Sequence, residues 1–357
     1  MKIALVHDYL TQFGGGERVL AALCEMFPEA PIFTLIYDEK NTGGIFKSRE
    51  IHTSFLQKIP GSKKFFRAFI WLMPLAVEQF DLSGFDIVIS VSHSFGKGII
   101  TKPGTKHICY CLTPTRYLWD NSFFPFKPFS QILLTYLRNW DYQAAQRPDY
   151  FIASSNAVKE RIKKYYQRDS EVIYPPIETD KFYISQESKD YFLMVGRLVP
   201  YKRFDLAIDA FSKLSDEKLF IIGDGPEKKK LEIRSKKLVS DNIKFLGFIS
   251  EKELSKYYAN SKALIFPQEE DFGIVALEAM ASGRPVIAFH SGGALETVIE
   301  KETGSFFNNQ TAESLIEAVK DFDENEFHHE KIKKQASRFD KKIFQRRIKE
   351  MFESLTK

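Results

Sequence analysis

Two glutamates, Glu270 and Glu278, flank the start of a predicted helix and give this chain its most recognisable chemistry. A strand-like run, Ala263–Pro267, precedes them, and helical periodicity extends over Ile274–Met280. The two carboxylates can accept hydrogen bonds from different parts of one elongated ligand, such as a sugar and a ribose. Backbone N–H groups at the helix start can hold an anion, and Gly273 lets that backbone approach it closely. The stretch therefore predicts a nucleotide-sugar pocket.

A run of three glycines, Gly14, Gly15 and Gly16, follows the first predicted strand and precedes an amphipathic helix. Consecutive backbone N–H groups of this kind can form a nest for an anion. Val19 stands where the Rossmann fingerprint needs its last glycine, which argues against a dinucleotide dehydrogenase. A flexible turn without a ligand is the other interpretation.

Two cations, Arg197 and Lys202, lie between another predicted strand and the following helix. They suit a diphosphate, because a guanidinium binds as a fork and an ammonium as a point charge. A solvated basic surface is the alternative, and it fits Lys202 better than Arg197, which directly follows the strand-ending Gly196. His93 also comes just after an apolar strand, where its ring could donate or shuttle a proton to a ligand or serve the structure alone.

For metal ions the sequence offers only weak patterns. Asp321 and Asp323 have Asp-x-Asp spacing, but they lie in a polar, helix-like stretch without a preceding strand. His328 and His329 are adjacent and so point to different faces of a helix. We predict no metal site.

Short apolar runs alternate with amphipathic segments through most of the chain, a pattern typical of parallel sheets covered by helices. The predicted strands are Lys2–Val6, Pro31–Ile36, Asp86–Val91, Lys106–Tyr110 and Tyr150–Ala153, then Tyr191–Val195, Lys218–Ile222, Ile243–Leu246, Lys262–Phe266 and Pro285–Ala288. The predicted helices include Gly16–Met26, Ser62–Gln79, Phe129–Ala145 and the charged segment Phe327–Phe352.

The alternation breaks at Tyr174–Phe182, where two prolines can continue neither a helix nor a central strand. This linker predicts two α/β domains, 1–175 and 176–337. Ligands bind at the carboxyl ends of the strands in such sheets, so the strand-end loops of both domains should line a cleft.

The composition describes an ordinary globular protein of 357 residues with 44% hydrophobic residues and a net charge of +4. This weak charge does not favour nucleic acid as a partner. Three cysteines without metal or redox spacing suit buried thiols in a reducing cytosol. We expect a cytoplasmic protein, because the chain opens on a strand-like run and its longest apolar stretch is too short for a membrane span.

Residues 54–73 combine basic, aromatic and apolar side chains. This combination predicts an interfacial helix on an anionic membrane, at the inner face of the cell membrane, where a lipid-linked acceptor would be found. An ordinary helix with one core face and one solvated face is the alternative.

Six groups of residues resemble those of the retaining glycosyltransferases of family 4, and the similarity extends over nearly the whole chain. They are Gly14–Glu17, Gly196–Arg197 with Lys202, Ile222–Glu227, Phe245–Gly247, the stretch from Glu270 to Glu278, and Ser291–Gly293. Within that family, residues 86–97 and 107–120 are most similar to the mannosyltransferases that build bacterial surface polysaccharides.

The resemblance implies a GT-B fold, in which two Rossmann-like doubly wound domains face a central cleft and residues 338–357 cross back onto the first domain. It also implies transfer from a nucleotide diphosphate sugar to a saccharide or polyprenyl-linked saccharide, with retention at the anomeric carbon and without a metal or other cofactor. The mannosyltransferase likeness implies GDP-mannose as the donor.

The same resemblance assigns roles to residues of this chain. The implied catalytic residues are His93, Arg197, Lys202 and Glu270, and the implied substrate-binding residues are Gly15, Gly16, Gly273, Ile274 and Glu278. The two cations would neutralise the diphosphate, Glu270 would hold sugar hydroxyls, and Glu278 would hold the ribose. His93 would contact the donor sugar near the reacting centre. No protein nucleophile is implied, because the leaving phosphate accepts the acceptor's proton in the mechanism proposed for such enzymes.

Other functions stay open from the sequence: a UDP-sugar-dependent glycosyltransferase of the same fold, a GT-B epimerase or phosphorylase, and a non-catalytic scaffold subunit. The intact set of charged site residues argues against a scaffold. One departure concerns the acceptor side, where Leu112 replaces a histidine often found in the relatives.

Overall fold

The computed structural model describes residues 1–120 and 129–355, which fold into two compact units. Unit 1 comprises Met1–Pro176 and the chain from Phe344 onwards, and unit 2 comprises Ile177–Ile343. The chain thus returns to unit 1 at Phe344, whereas the sequence predicted residue 338. Residues 356 and 357 of the predicted crossing segment lie outside the described residues.

The described part of unit 1 contains a seven-stranded sheet in which all strands are parallel. Its order is β3-β2-β1-β4-β5-β6-β7, so the direction of strand addition reverses between β1 and β4. The strands are β1 Ile3–His7, β2 Ile32–Thr34, β3 Ile51–Thr53, β4 Ile87–Ser92, β5 Lys106–Cys111, β6 Tyr150–Ala153 and β7 Glu171–Val172.

Unit 2 contains a six-stranded parallel sheet with the order β10-β9-β8-β11-β12-β13. Here the reversal falls between β8 and β11. Ligands bind beside such reversals in doubly wound sheets. The strands are β8 Phe192–Val195, β9 Leu219–Ile222, β10 Ile243–Gly247, β11 Leu264–Phe266, β12 Val286–Phe289 and β13 Gly304–Phe307.

Helices connect these strands. In the first part of the chain they are α1 Gly15–Met26, α2 Ser62–Phe65, α3 Met73–Glu78, α4 Arg116–Trp119, α5 Phe129–Ala144 and α6 Asn156–Tyr166. In the second part they are α7 Phe204–Phe211, α8 Lys228–Lys237, α9 Glu251–Asn260, α10 Ile274–Ala281, α11 Ala294–Thr297, α12 Ala312–Lys320, α13 His329–Ser337 and α14 Lys341–Leu355. No helix among the described residues is long and apolar enough to span a membrane.

The prediction missed three strands, β3, β7 and β13. All three are edge strands, and β3 and β7 place partly or fully exposed side chains at the two edges of the unit 1 sheet. By contrast, all six residues of the central strand β4 are buried and four of them are apolar, which made this strand recognisable in the sequence.

Two predicted helices are broken in the structure. The segment 62–79 forms α2, a 3₁₀ helix over Phe66–Leu72 and α3, because Phe69 leaves the helical region (φ −96°, ψ 18°) and Pro74 lacks an N–H group. The segment 327–352 divides into α13 and α14, because the backbone around Asp340 bridges to Ile177. The single interfacial helix predicted over residues 54–73 is therefore wrong as a secondary-structure assignment.

Candidate functional site

In unit 2, two predicted site residues meet beside the β8–β11 reversal. Lys202 Nζ lies 2.5 Å from Glu270 Oε1, with side-chain exposures of 11% and 16%. Burial lowers the pKa of Lys202, but Glu270, through its charge and its hydrogen bond, together with Tyr201 and Glu278, raises the pKa above its usual value. Lys202 is therefore a cation at neutral pH. Arg197 follows β8 at the same end of the sheet and is exposed.

The turn after β9 supports the Arg197 segment. Leu198 donates its N–H to the Asp224 carbonyl (2.9 Å), and Glu227 donates its N–H to the Leu198 carbonyl (3.1 Å). A Cβ at Gly223 would lie 1.9 Å from the Gly196 carbonyl oxygen, so the two backbones can meet only without a side chain there. The 222–227 motif thus supports the backbone on either side of Arg197.

A second backbone contact holds the Glu270 loop. Gly293 donates its N–H to the Glu270 carbonyl (2.8 Å), and a Cβ at Gly293 would lie 2.3 Å from Phe272 Cα. Gln268 Nε2 lies 3.4 Å from Glu270 Oε1. The loop therefore depends on the Ser291–Gly293 motif for its position.

The predicted helix start at Gly273 and Ile274 is present. Gly273 adopts the left-handed region (φ 88°, ψ 59°) as the residue before α10, which begins at Ile274. A Cβ at Gly273 would lie 2.8 Å from Phe266 Cζ, so the turn packs directly on the end of β11. The first N–H groups of α10 have no carbonyl partner within the helix and can serve an anion.

Glu278 is more enclosed than Glu270. Its residue exposure is 3%, and Tyr258 donates its hydroxyl to Glu278 Oε2 at 2.8 Å. Tyr258 is itself fully buried. The carboxylate is therefore fixed by the core of unit 2, whereas Glu270 lies on a loop.

In unit 1, the predicted residue His93 lies at the end of β4 against a carboxylate at the end of β1. His93 Nδ1 is 2.9 Å from Asp8 Oδ2, and the side chains are 33% and 0% exposed. Burial lowers the pKa of His93, but the charge of Asp8 and the hydrogen bond to it raise the pKa above its usual value. In the same way the histidine charge holds the pKa of Asp8 well below its usual range, despite burial.

The glycine run forms the entry to α1, which begins at Gly15. Gly14 donates its N–H to Glu17 Oε2 (2.8 Å), so one of the three N–H groups is already bonded within the chain. A Cβ at Gly16 would lie 2.7 Å from Leu112 Cδ1 and 3.5 Å from His7 Cε1. Leu112, which the sequence marked as a departure on the acceptor side, therefore packs on the glycine run.

Two family models match the chain, one on each unit. The model described as Glycosyltransferase Family 4 matches residues 13–181, and the model described as Glycosyl transferases group 1 matches residues 177–339. Together they cover residues 13–339. The chain is a family 4 glycosyltransferase.

Relatives of this glycosyltransferase include an uncharacterised glycosyltransferase of Methanocaldococcus jannaschii, 25% identical over 96% of this chain and 94% of the relative. The O-antigen chain mannosyltransferase RfbU of Salmonella typhimurium is 31% identical over 55% of this chain and 60% of its own length. A GDP-mannose-dependent phosphatidylinositol monomannoside mannosyltransferase of Mycolicibacterium smegmatis is 30% identical over 41% of this chain and 45% of its own.

Solved structures confirm the predicted GT-B class of two Rossmann-like domains. The HepE protein of Anabaena, solved with UDP and glucose, superposes with a TM-score of 0.75 at 20% identity, over 99% of this chain and 100% of that one. A lipopolysaccharide outer core galactosyltransferase, WaaB, gives a TM-score of 0.69 at 20% identity, over 99% of each chain. At these identities the likeness concerns the fold.

The structure of the glycosyltransferase adds residues that sequence reasoning missed. Asp8, Tyr9 and Glu17 surround His93 and the glycine run, and Tyr258 holds Glu278. Asp8 had a usable signal, because it is a carboxylate just past the end of an apolar strand, as Arg197 is a cation just past the end of another. Tyr258 had none, since its partner lies 20 residues further along the chain.

The predicted site residues divide between the units. Gly15, Gly16 and His93 belong to unit 1, and Arg197, Lys202, Glu270, Gly273, Ile274 and Glu278 belong to unit 2. Within residues 1–120 and 129–355, no three His, Cys, Asp or Glu side chains are grouped as a metal ion would require.

Proposed function

We propose that this glycosyltransferase moves a sugar from a nucleotide diphosphate sugar to a saccharide or lipid-linked saccharide, with retention at the anomeric carbon. The observation that carries the proposal is the Lys202–Glu270 pair beside Arg197 at the strand reversal of unit 2. Cations there neutralise a diphosphate, and a partly exposed carboxylate accepts hydrogen bonds from sugar hydroxyls. Glu278 binds the ribose in this scheme.

The proposed chemistry needs no protein nucleophile and no metal ion. The bond between the anomeric carbon and the phosphate oxygen breaks while the acceptor oxygen bonds to that carbon, and the acceptor's proton passes to the leaving phosphate. Negative charge develops on the diphosphate, and groups that stabilise it in the transition state accelerate the reaction. Arg197, Lys202 and the N–H groups at the start of α10 have the right charge for this task.

GDP-mannose is the proposed donor, and surface polysaccharide synthesis is the proposed setting. The Salmonella and Mycolicibacterium relatives are both mannosyltransferases, which supports mannose, and the second is GDP-mannose-dependent, which supports GDP. A UDP-sugar is the second candidate, because the HepE structure contains UDP and glucose.

Thermal unfolding with nucleotides tests the donor site. Purified protein is heated in EDTA with GDP, UDP, ADP, dTDP and their common sugar conjugates. A ligand at 100 times its dissociation constant adds about 2.7 kcal/mol to the free energy of unfolding. A shift confined to GDP compounds is the expected result, and a shift with UDP compounds moves the donor to a UDP-sugar. No shift with any nucleotide contradicts the proposal and favours a scaffold.

Product analysis tests the reaction itself. Donor with a saccharide acceptor should give an α-linked product from an α-linked donor, read by proton NMR of the anomeric signal, and should do so in EDTA. Product from the donor alone indicates an epimerase, and product that requires free phosphate indicates a phosphorylase. An inverted product contradicts retention while leaving the donor site intact.

A peripheral contact with anionic membrane is a further part of the proposal. Although residues 54–73 do not form one helix, Lys63, Lys64 and Arg67 are exposed near Phe65 and Trp71, which are 60% and 54% exposed. Cations and aromatic rings together suit the interface of an anionic bilayer.

Liposome co-sedimentation tests this contact. The triple change of Lys63, Lys64 and Arg67 to Glu should abolish binding to vesicles containing anionic lipid. The matched control places the same charge change on α8 of unit 2, at the exposed Lys229, Lys236 and Lys237. Unchanged binding by the first variant, or equal loss in both, contradicts the assignment of the contact to residues 63–67.

A further inference from the structure

Asp8 is fully buried, and one short segment at the end of β4, residues 92–96, contacts its carboxylate. Ser92 Oγ donates to Oδ1 (3.0 Å), and the His93 N–H donates to Oδ2 (2.7 Å). The Gly96 N–H also donates to Oδ1. The fourth contact is the ring Nδ1 of His93, 2.9 Å from Oδ2. One carboxylate thus fixes both the backbone and the ring of His93.

The other ring nitrogen of His93 is also occupied. Its Nε2 lies 3.0 Å from the Tyr9 hydroxyl, and the two rings meet edge to face with centroids 5.2 Å apart. Asp8 and Tyr9 are consecutive residues after β1. The end of β1 therefore holds the imidazole from both nitrogens, while one third of the side chain remains exposed.

We propose that Asp8 and Tyr9 are positioning residues for His93, which they hold as a fixed, protonated ring that does not accept the acceptor's proton during transfer. This inference rests on the proposed function, in which that proton passes to the leaving phosphate. The glycosidic bond forms and the phosphate ester bond breaks without any change in the proton count of His93.

The charges around the ring favour its protonated form. Asp8, after β1, and Glu17 on α1 attract the imidazolium, while Lys97, after β4, repels it. His7 is a further neighbour, with ring centroids 6.5 Å apart, and its Nε2 lies 3.7 Å from Glu17 Oε1. Because Asp8 is buried and the ring is partly exposed, the pair presents the positive end of a dipole to a ligand.

A histidine titration tests the positioning directly. Nitrogen-15 labelling of the seven histidines, with His93 assigned by the signal that His93→Gln removes, gives the protonation state of the ring in the ligand-free protein. We expect His93 to titrate above the usual histidine pKa in the wild type and clearly lower in Asp8→Asn. Ser92→Ala is the matched control, because it removes one hydrogen bond to Asp8 and keeps the Asp8–His93 contact.

The activity profile tests the role of the protonated ring. Turnover should fall as the pH rises through the pKa of His93, and Asp8→Asn should move this alkaline limb to lower pH. Each unit by which that pKa falls below the working pH lowers the protonated fraction about tenfold. Tyr9→Phe removes the contact to His93 Nε2 and keeps the contact to Asp8. Its kcat should therefore fall several-fold, while the alkaline limb of the pH–activity profile and the KM for the donor stay unchanged.

Several results overturn the inference. The first is a wild-type His93 that titrates at or below the usual histidine pKa, and the second is a His93 that titrates equally in the wild type and in Asp8→Asn. The third is an Asp8→Asn variant in which the acid limb of the pH–activity profile shifts, which would make His93 a general base. If Asp8→Asn does not fold, the wild-type titration and Tyr9→Phe still decide. The titration needs no donor or acceptor, so a protein that binds no nucleotide but shows the raised pKa overturns the proposed function alone.

Discussion

The two sheets place charged side chains at equivalent positions but with opposite arrangements. In unit 1 the carboxylate of Asp8 is fully buried and its partner, the ring of His93, is the accessible member of the pair. In unit 2 both members of the Lys202–Glu270 pair are partly accessible, at 11% and 16%. In both sheets the strand order reverses here, so side chains that follow two neighbouring strands meet. The residue types decide whether they form a fixed dipole, as Asp8 and His93 do, or a pair that a ligand can separate, as Lys202 and Glu270 do.

The glycines of the two sites differ as well. Gly16 in unit 1 faces the flexible end of a side chain, Leu112 Cδ1, whereas Gly293 in unit 2 faces the backbone of Phe272. A side chain can move aside, but a backbone in a packed loop cannot without displacing the loop. We therefore expect the unit 2 site to be less tolerant of substitution than the unit 1 site.

The largest effect is expected from the cation that follows β8. Arg197→Ala should lower kcat roughly 10²- to 10³-fold, as loss of one preorganised stabilising group does. Lys213→Ala is the matched control, because Lys213 forms an exposed ion pair with Glu313 on the same unit. Steady-state kinetics with donor and acceptor measure both variants. Turnover of the Arg197 variant close to that of the control would contradict the proposed role of Arg197 in the transfer step.

Gly293→Ala tests the backbone contact in unit 2. The new Cβ would lie 2.3 Å from Phe272 Cα, so the loop that carries Glu270 must shift. We expect a loss of stability of about 1–3 kcal/mol and loss of the nucleotide-induced melting shift. Chemical denaturation and thermal unfolding measure the two quantities. A variant that keeps its nucleotide shift would show that the loop is held by other contacts.

Gly16→Ala tests the side-chain contact in unit 1. The clash with Leu112 Cδ1 at 2.7 Å should destabilise the protein by about 1 kcal/mol, at the low end for overpacking. The double variant Gly16→Ala with Leu112→Ala should recover part of this lost stability. No single side-chain truncation can relieve Gly293→Ala in the same way, because its Cβ would meet backbone atoms of Phe272. A double-mutant cycle from denaturation curves gives the coupling. Strict additivity would contradict the contact.

The smallest effect concerns stability against pH. His93 has a raised pKa, so its contribution is complete below the usual histidine pKa and is lost as the pH rises through the folded value. Asp8 has a lowered pKa, so its contribution is present above the usual aspartate pKa and is lost on acidification. His93→Gln should therefore flatten the alkaline decline of stability. A melting temperature that declines equally in both proteins would count against the pair.

Much of the fold could be predicted because central strands of parallel sheets are buried on both faces. β6 was predicted with its observed bounds, Tyr150–Ala153, and β4 within one residue at each end. The edge strand β7 has only two residues and an exposed glutamate, so it carries no such pattern. Helix breaks escaped prediction because their cause is tertiary, as in the bridge from Ile177 to Asp340.

For the site, the sequence by itself determined which residues have suitable chemistry: a cation after β8, a histidine after β4, and a carboxylate on either side of the start of α10. The local sequence is enough to identify these residues, since a strand, a turn and a helix start are short-range features. Only the tertiary structure decided the partners. Asp8 meets His93 85 residues later, and Lys202 meets Glu270 across the strand reversal. Parallel strands that are neighbours in space are distant in sequence, so pairings at their ends appear only when the sheet is assembled.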